Sequence, residues 1–220
     1  MLTLKDIKND KEVKTLIKTG EKQLDALAYT EHSTRHCSIV ASWTGMILKE
    51  IGETPKMVRL GEIAGYLHDI GNALSRYDHA GSGALLAYKI LLERGMNFAD
   101  ASEIMMAIGN HDEKNGIPVS VLGSALIIAD KSDVHKSRVK DKLLSEKTNI
   151  HDRVNYGVTK SDVSVDAEAK IITLKIEIDT NICSVMEYFE IFIERMLLCK
   201  RAAEKLDTKF QLVINNQQIL

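Results

Sequence analysis

Apolar residues recur at helical spacing through most of the first 150 positions of this chain. Val13, Leu16, Ile17, Leu24, Leu27 and Ala28 mark one face of a first predicted helix, with Asn9 and Glu12 as its capping pair. A second helix runs from about Glu31 to Ile51 and stops at Gly52. Thr54-Pro55 reads as the cap and first turn of a third helix, which closes at His68-Asp69 with Gly71 just beyond. Further helices fit about 79–94, 98–110 and 119–134. After Tyr156 the period changes to two. Val163 and Val165, then Ile172, Leu174, Ile176 and Ile178, alternate with polar neighbours around a turn at Ala167-Glu168-Ala169-Lys170, which makes a hairpin. Val185, Met186, Phe189, Phe192, Ile193, Met196 and Leu197 return to helical spacing over about 183–206, and Phe210, Leu212 and Ile214 alternate once more. The predicted fold is mostly α: a helical domain over 1–156 with a small C-terminal α+β appendage (β-β-α-β) over 157–220. Three strands alone leave one sheet face uncovered, so the appendage is expected to pack on the helical body, with its copy in a homodimer as a further cover.

Composition narrows the class. At 220 residues and 45% apolar content the chain can bury a sizeable core. Its 29 basic and 31 acidic residues nearly cancel, which offers no charged surface for a nucleic-acid polymer or a membrane. The start, Met1-Leu2-Thr3-Leu4-Lys5-Asp6, lacks a basic region followed by an apolar one, and no window approaches the roughly 20 apolar residues of a spanning helix. A soluble cytoplasmic protein is expected. Cys37, Cys183 and Cys199 are odd in number and widely spaced, so they read as reduced, partly buried residues, not as a disulfide framework or thiolate cluster.

The chemistry sits in the histidines. His68-Asp69 closes an apolar helix with a neutral nitrogen ligand beside a carboxylate able to bridge two cations. His36 lies upstream, His79 and His111 downstream, and Asp130 ends the apolar run Ala125-Leu126-Ile127-Ile128-Ala129. Imidazole and carboxylate without thiolate suit a hydrolytic transition-metal centre more than a structural zinc site. Alone, the doublet could be a helix-capping histidine with a solvated aspartate; three more histidines and Asp130 in register argue against that. His135 and His151 lack such a context and read as surface or core residues.

This set resembles the HD superfamily of metal-dependent phosphohydrolases, whose signature is a histidine, a distant His-Asp doublet and a later aspartate. The settings His36-Cys37-Ser38-Ile39-Val40-Ala41, Leu67-His68-Asp69-Ile70-Gly71 and Ile127-Ile128-Ala129-Asp130 carry the resemblance, which covers roughly residues 31–138. His79 and His111 match the extra histidines of two-metal members. The resemblance implies that His36, His68, Asp69 and Asp130 hold one metal, and His79, His111 and bridging Asp69 a second; iron, manganese, cobalt or zinc all suit. His32 sits one turn before His36, where some three-metal members have a glutamate, and is a candidate substrate contact. The chain departs from the cyclic-di-nucleotide phosphodiesterases with a glycine-tyrosine-proline motif. Asn72 stands where they usually carry lysine, Asn110-His111 replaces a His-His pair, and their loop is reduced to Asn115-Gly116-Ile117-Pro118.

The function these residues imply is hydrolysis of a small phosphate ester, a nucleotide or dinucleotide being the favoured case, by attack of a metal-activated hydroxide. Asp69 is the bridge. Lys131, with Arg76 and Arg138, is a candidate clamp for phosphate oxygens, and Lys131 is the first choice among them. Two other readings stay open: a non-catalytic metal- or nucleotide-binding signalling or scaffold protein, favoured by Asn72, and cyclic-di-nucleotide hydrolysis, disfavoured by the shortened loop.

Overall fold

The structure is a computed structural model that describes residues 2–27, 29, 33–139 and 150–220. The helical body begins with a short α1 (Leu4–Asn9), started by a Thr3–Asp6 capping box, and continues into α2 (Lys11–Ala26). The predicted Asn9–Glu12 cap is therefore displaced by one residue. Asn9 closes α1, and the Asp10 carboxylate accepts from the backbone nitrogens of Glu12 and Val13. Ala28 and Glu31, placed in the first two helices from sequence, lie outside the described residues.

Helices α3 (Thr34–Glu50) and α4 (Pro55–Leu67) form the most closely packed pair among the helices. Ser33 caps the first and Thr54 the second, with Pro55 in its first turn as expected; between them Gly52 takes a positive φ of 88°. A Cβ on Gly65 would stand 2.7 Å from Ala41 Cα, so only glycine lets these two backbones cross this closely. That crossing brings His36 and His68 together.

Gly71 does not stop α4 in the way the sequence suggests. The chain passes into a 3₁₀ turn, Ile70–Ala73, and Gly71 keeps a negative-φ backbone. Its missing side chain serves another purpose: a Cβ there would lie 2.0 Å from the His79 carbonyl oxygen and 2.5 Å from Gly83 N. The first turn of α5 (His79–Glu93) packs against the space this leaves, and the His-Asp doublet and His79 become neighbours.

Next come α6 (Phe98–Gly109) and α7 (Val121–Ser132). Every residue of α7 from Leu122 to Ser132 is buried, because α3, α4, α6 and the C-terminal unit surround it. A short α8 (Ile150–Gly157), which the sequence pattern did not reveal, leads into β1 (Val158–Asp166). The expected hairpin follows, β1 pairing antiparallel with β2 (Ile171–Ile178), then α9 (Val185–Lys205) and β3 (Lys209–Ile214) parallel to β2. A two-residue β4 (Gln217–Gln218) completes a sheet of order β1-β2-β3-β4. Helix α9 lies on α7 and β3, and β1 touches α3 and α7. One continuous cluster of buried apolar side chains includes Leu126 and Ile127 of α7, Leu174 of β2 and Phe192 of α9. No described helix is long and apolar enough to cross a membrane.

Candidate metal centre

Six of the side chains singled out from sequence meet at one place. His36 comes from the first turn of α3 and His68 caps the end of α4. Asp69 follows it, His79 opens α5, His111 lies just past α6, and Asp130 sits near the end of α7. All are buried. His36 Nε2 lies 3.2 Å from both His68 Nε2 and Asp130 Oδ1, and His68 Nε2 is 3.5 Å from the same carboxylate oxygen.

Asp69 divides its oxygens between two sides. Oδ2 faces His68 Nε2 at 3.4 Å and His36 Nε2 at 3.7 Å, whereas Oδ1 faces His79 Nε2 at 3.5 Å and His111 Nε2 at 4.0 Å. One carboxylate thus spans two groups of imidazoles. Two sets of three donor atoms each lie within 4.8 Å of one another, His36/His68/Asp130 and His68/Asp69/His111.

The far nitrogen of every ring is anchored to an acceptor. His36 Nδ1 donates to Asp133 Oδ2 (2.7 Å), and the Nδ1 atoms of His68, His79 and His111 donate to the carbonyls of Gly65 (2.8 Å), Arg76 (3.2 Å) and Ile108 (2.6 Å). Carbonyls only accept, so in those three rings the hydrogen is fixed on Nδ1 and Nε2 faces the cluster. A divalent cation suits this donor set of imidazole nitrogens and hard carboxylate oxygens.

Charges in the cluster are strongly perturbed. Burial by itself lowers the basicity of His68, but the Asp69 and Asp130 carboxylates outweigh it and raise its pKa to about 10. His111 moves the other way, to about 3, through burial first and the neighbouring His68 and Lys131 charges second. Asp130 is held well below the usual carboxylate range: burial opposes ionisation, and Lys131 and His68 override it. His68 in metal-free protein therefore carries a proton at neutral pH. That proton contributes stability in full below about pH 6.5, and the contribution is lost as pH rises through about 10. A cation must displace it, so divalent-metal binding near neutral pH is expected to release about one proton per chain. Calorimetric titrations in buffers of differing ionisation enthalpy check this; a heat independent of buffer contradicts it.

A second layer of charge surrounds the donors; Lys131, Arg138 and Arg76 in it were singled out from sequence, and Arg35, Glu113, Asp133 and Arg195 were not. Asp133 receives His36 and pairs with Arg35 at 3.2 Å, and its backbone oxygen accepts from Arg138 at 2.7 Å. Lys131 Nζ lies 2.5 Å from Asp130 Oδ2 and 2.9 Å from Glu113 Oε2, and Arg195 of α9 donates to Glu113 Oε1. Lys131, expected to face substrate, is thus held between two carboxylates. Arg76 stands 3.4 Å from His79 and over the Tyr29 ring, and Asn72 is buried with its amide donating to the Asp69 carbonyl. Asp133 was legible in principle, three residues past Asp130. Arg195 had no local signal. His32 lies outside the described residues. His151, read as surface or core, lines a cleft of about 480 Å³ beside the donors, shared with Tyr29, Tyr77, Arg138 and Arg195.

No protein-family model matches the chain. A stretch of 106 residues is 35% identical to Ribonuclease Y of Lawsonia intracellularis, covering 48% of this chain and 18% of that protein. The signature histidine, doublet and aspartate are all present and meet in space. In this the helical body resembles the HD superfamily, and the chain spans less than a fifth of the length of that curated relative. A crystal structure described as that of a predicted HD superfamily hydrolase, from an uncultured Thermotogales bacterium, overlaps 56% of this chain and 67% of its own at 27% identity and a TM-score of 0.45. The resemblance to the HD superfamily rests on the residues of the signature, His36, His68-Asp69 and Asp130.

Proposed function

We propose that the protein is a metal-dependent phosphohydrolase acting on a small phosphate ester, with a nucleotide or dinucleotide as the favoured substrate. The observation that carries this reading is the division of the Asp69 oxygens between two imidazole groups, His36/His68 and His79/His111, beside an open cleft. Bound divalent cations, of iron, manganese, cobalt or zinc, acidify water and neutralise phosphate oxygens. His36, His68, Asp69 and Asp130 would hold one such ion, and His79, His111 and Asp69 a second.

The chain's own groups prepare the rest. Gly65, Arg76, Ile108 and Asp133 fix the imidazole rings, so little reorganisation is required on loading. Arg76 and Arg138 border both the donors and the cleft, where a phosphate group would lie. Exposed Tyr77 and partly exposed Tyr29 at the cleft offer faces on which a base can stack. A relative named as a ribonuclease supports a nucleotide phosphoester as substrate class. Asn72 adds no cation to the cleft, and Arg76, Arg138 and Arg195 supply positive charge there instead.

Manganese-loaded protein should hydrolyse at least one member of a panel of phosphomonoesters, dinucleotides and cyclic dinucleotides, and chelation should abolish turnover. Tight binding of a panel member without turnover would replace the enzyme by a sensor.

A further inference from the structure

Arg195 belongs to the C-terminal unit, yet its side chain enters the metal-centre cavity. It lies midway along α9, and its guanidinium lines both the small cavity bordered by Asp69 and Asp130 and the wider cleft beyond. Two contacts orient it. Nη2 and Nε donate to Glu113 Oε1 at 3.0 and 3.3 Å, and the guanidinium carbon stands 4.6 Å from the centre of the Phe192 ring. Nη1 makes no hydrogen bond among the described residues. The other Glu113 oxygen holds Lys131, so an unbroken line of charges, Arg195–Glu113–Lys131–Asp130, runs from α9 to the donor cluster.

The charge balance of the small cavity calls for an anion. Arg76, Lys131, Arg138 and Arg195 line it against the carboxylates of Asp69, Glu113 and Asp130. Two of those three carboxylates belong to the donor set, so a bound cation takes up their charge and the cavity is left positive. Lys131 is engaged by two carboxylates and Arg138 by the Asp133 carbonyl. Arg76 rests on a 3.4 Å contact to His79 and on the Tyr29 ring, whereas Arg195 is fixed by Glu113 on one edge and Phe192 on one face and keeps Nη1 to spare, which suits the planar geometry of phosphate recognition.

We propose that Arg195 binds the phosphate group of the substrate, so that the C-terminal α+β unit completes the phosphate site of the helical body; this rests on the phosphohydrolase reading above. The unit is then part of the active cleft as well as a cover for the core.

Inorganic phosphate is the probe, titrated calorimetrically into manganese-loaded full-length protein. Arg195→Gln should weaken phosphate binding by about 10- to 100-fold, the range expected for losing a charge-assisted contact. Metal content should be unchanged, since Arg195 touches no donor directly. Arg195→Lys should recover only part of the loss, because a point charge replaces a planar fork. Wild-type protein offers a check that needs no variant: saturating phosphate should protect Arg195 from phenylglyoxal, mapped by peptide mass. Undiminished binding by Arg195→Gln, or protection confined to Arg76 and Arg138, overturns the proposal and leaves the phosphohydrolase reading standing. Wild-type protein that neither binds phosphate nor hydrolyses any ester overturns both.

Discussion

Asp69→Asn protein should retain its fold and lose more than about 100-fold in turnover, together with most of its bound metal. Substitutions in the shell behind metal ligands already cost about 10- to 100-fold, and Asp69 stands in front of that shell. Its two oxygens face His36 and His68 on one side and His79 and His111 on the other, so weakening them disturbs both halves. Side-chain volume is conserved, and the thermal midpoint of metal-free protein should move little. Elemental analysis and circular dichroism separate the two effects. His79→Ala offers the contrast, with one metal equivalent lost and the other kept. Full metal content in the Asp69→Asn protein would remove Asp69 from the bridge.

Deleting residues from 157 onward should give insoluble or molten protein. Among the groups removed are Ile172, Leu174, Ile176, Phe192, Met196 and Leu198, all buried in the cluster that also contains α7. Truncating one such side chain to alanine costs about 2–5 kcal/mol, against a total stability of about 5–15 kcal/mol for a whole protein. Loss of several exceeds what the remaining helices can supply. Asp130 would suffer too, because the helix that carries it would be exposed on the side α9 now covers. Near-ultraviolet circular dichroism and a thermal melt provide the measurement. A well-folded, fully active fragment 1–156 would show that the helical body stands alone and that α9 packing is dispensable.

Element types were legible because burial on one face leaves a periodic mark, 3.6 residues for helices and two for strands, and Thr54-Pro55 wrote the start of α4 openly. Boundaries were less so. Asn9 and Asp10 both make good caps, and the choice fell to the separate α1 that ends at Asn9. Gly71 has the residue type of a helix stop, but its role is close approach to α5, which requires knowledge of where α5 lies. Helix α8 has too few apolar positions to announce itself.

By itself the sequence determined the order of the main helices and strands, without α1, α8 and β4, and the chemical identity of the donors: four histidines and two aspartates in settings that resemble one superfamily. Tertiary structure decided what those donors can do together. The division of the Asp69 oxygens, the anchoring of His36 by Asp133, the capture of Lys131 by Glu113 and the arrival of Arg195 from α9 are contacts between segments far apart in the chain. Such contacts depend on how helices cross, at places such as Gly65 against Ala41, and a crossing leaves no periodicity in either partner that names the other.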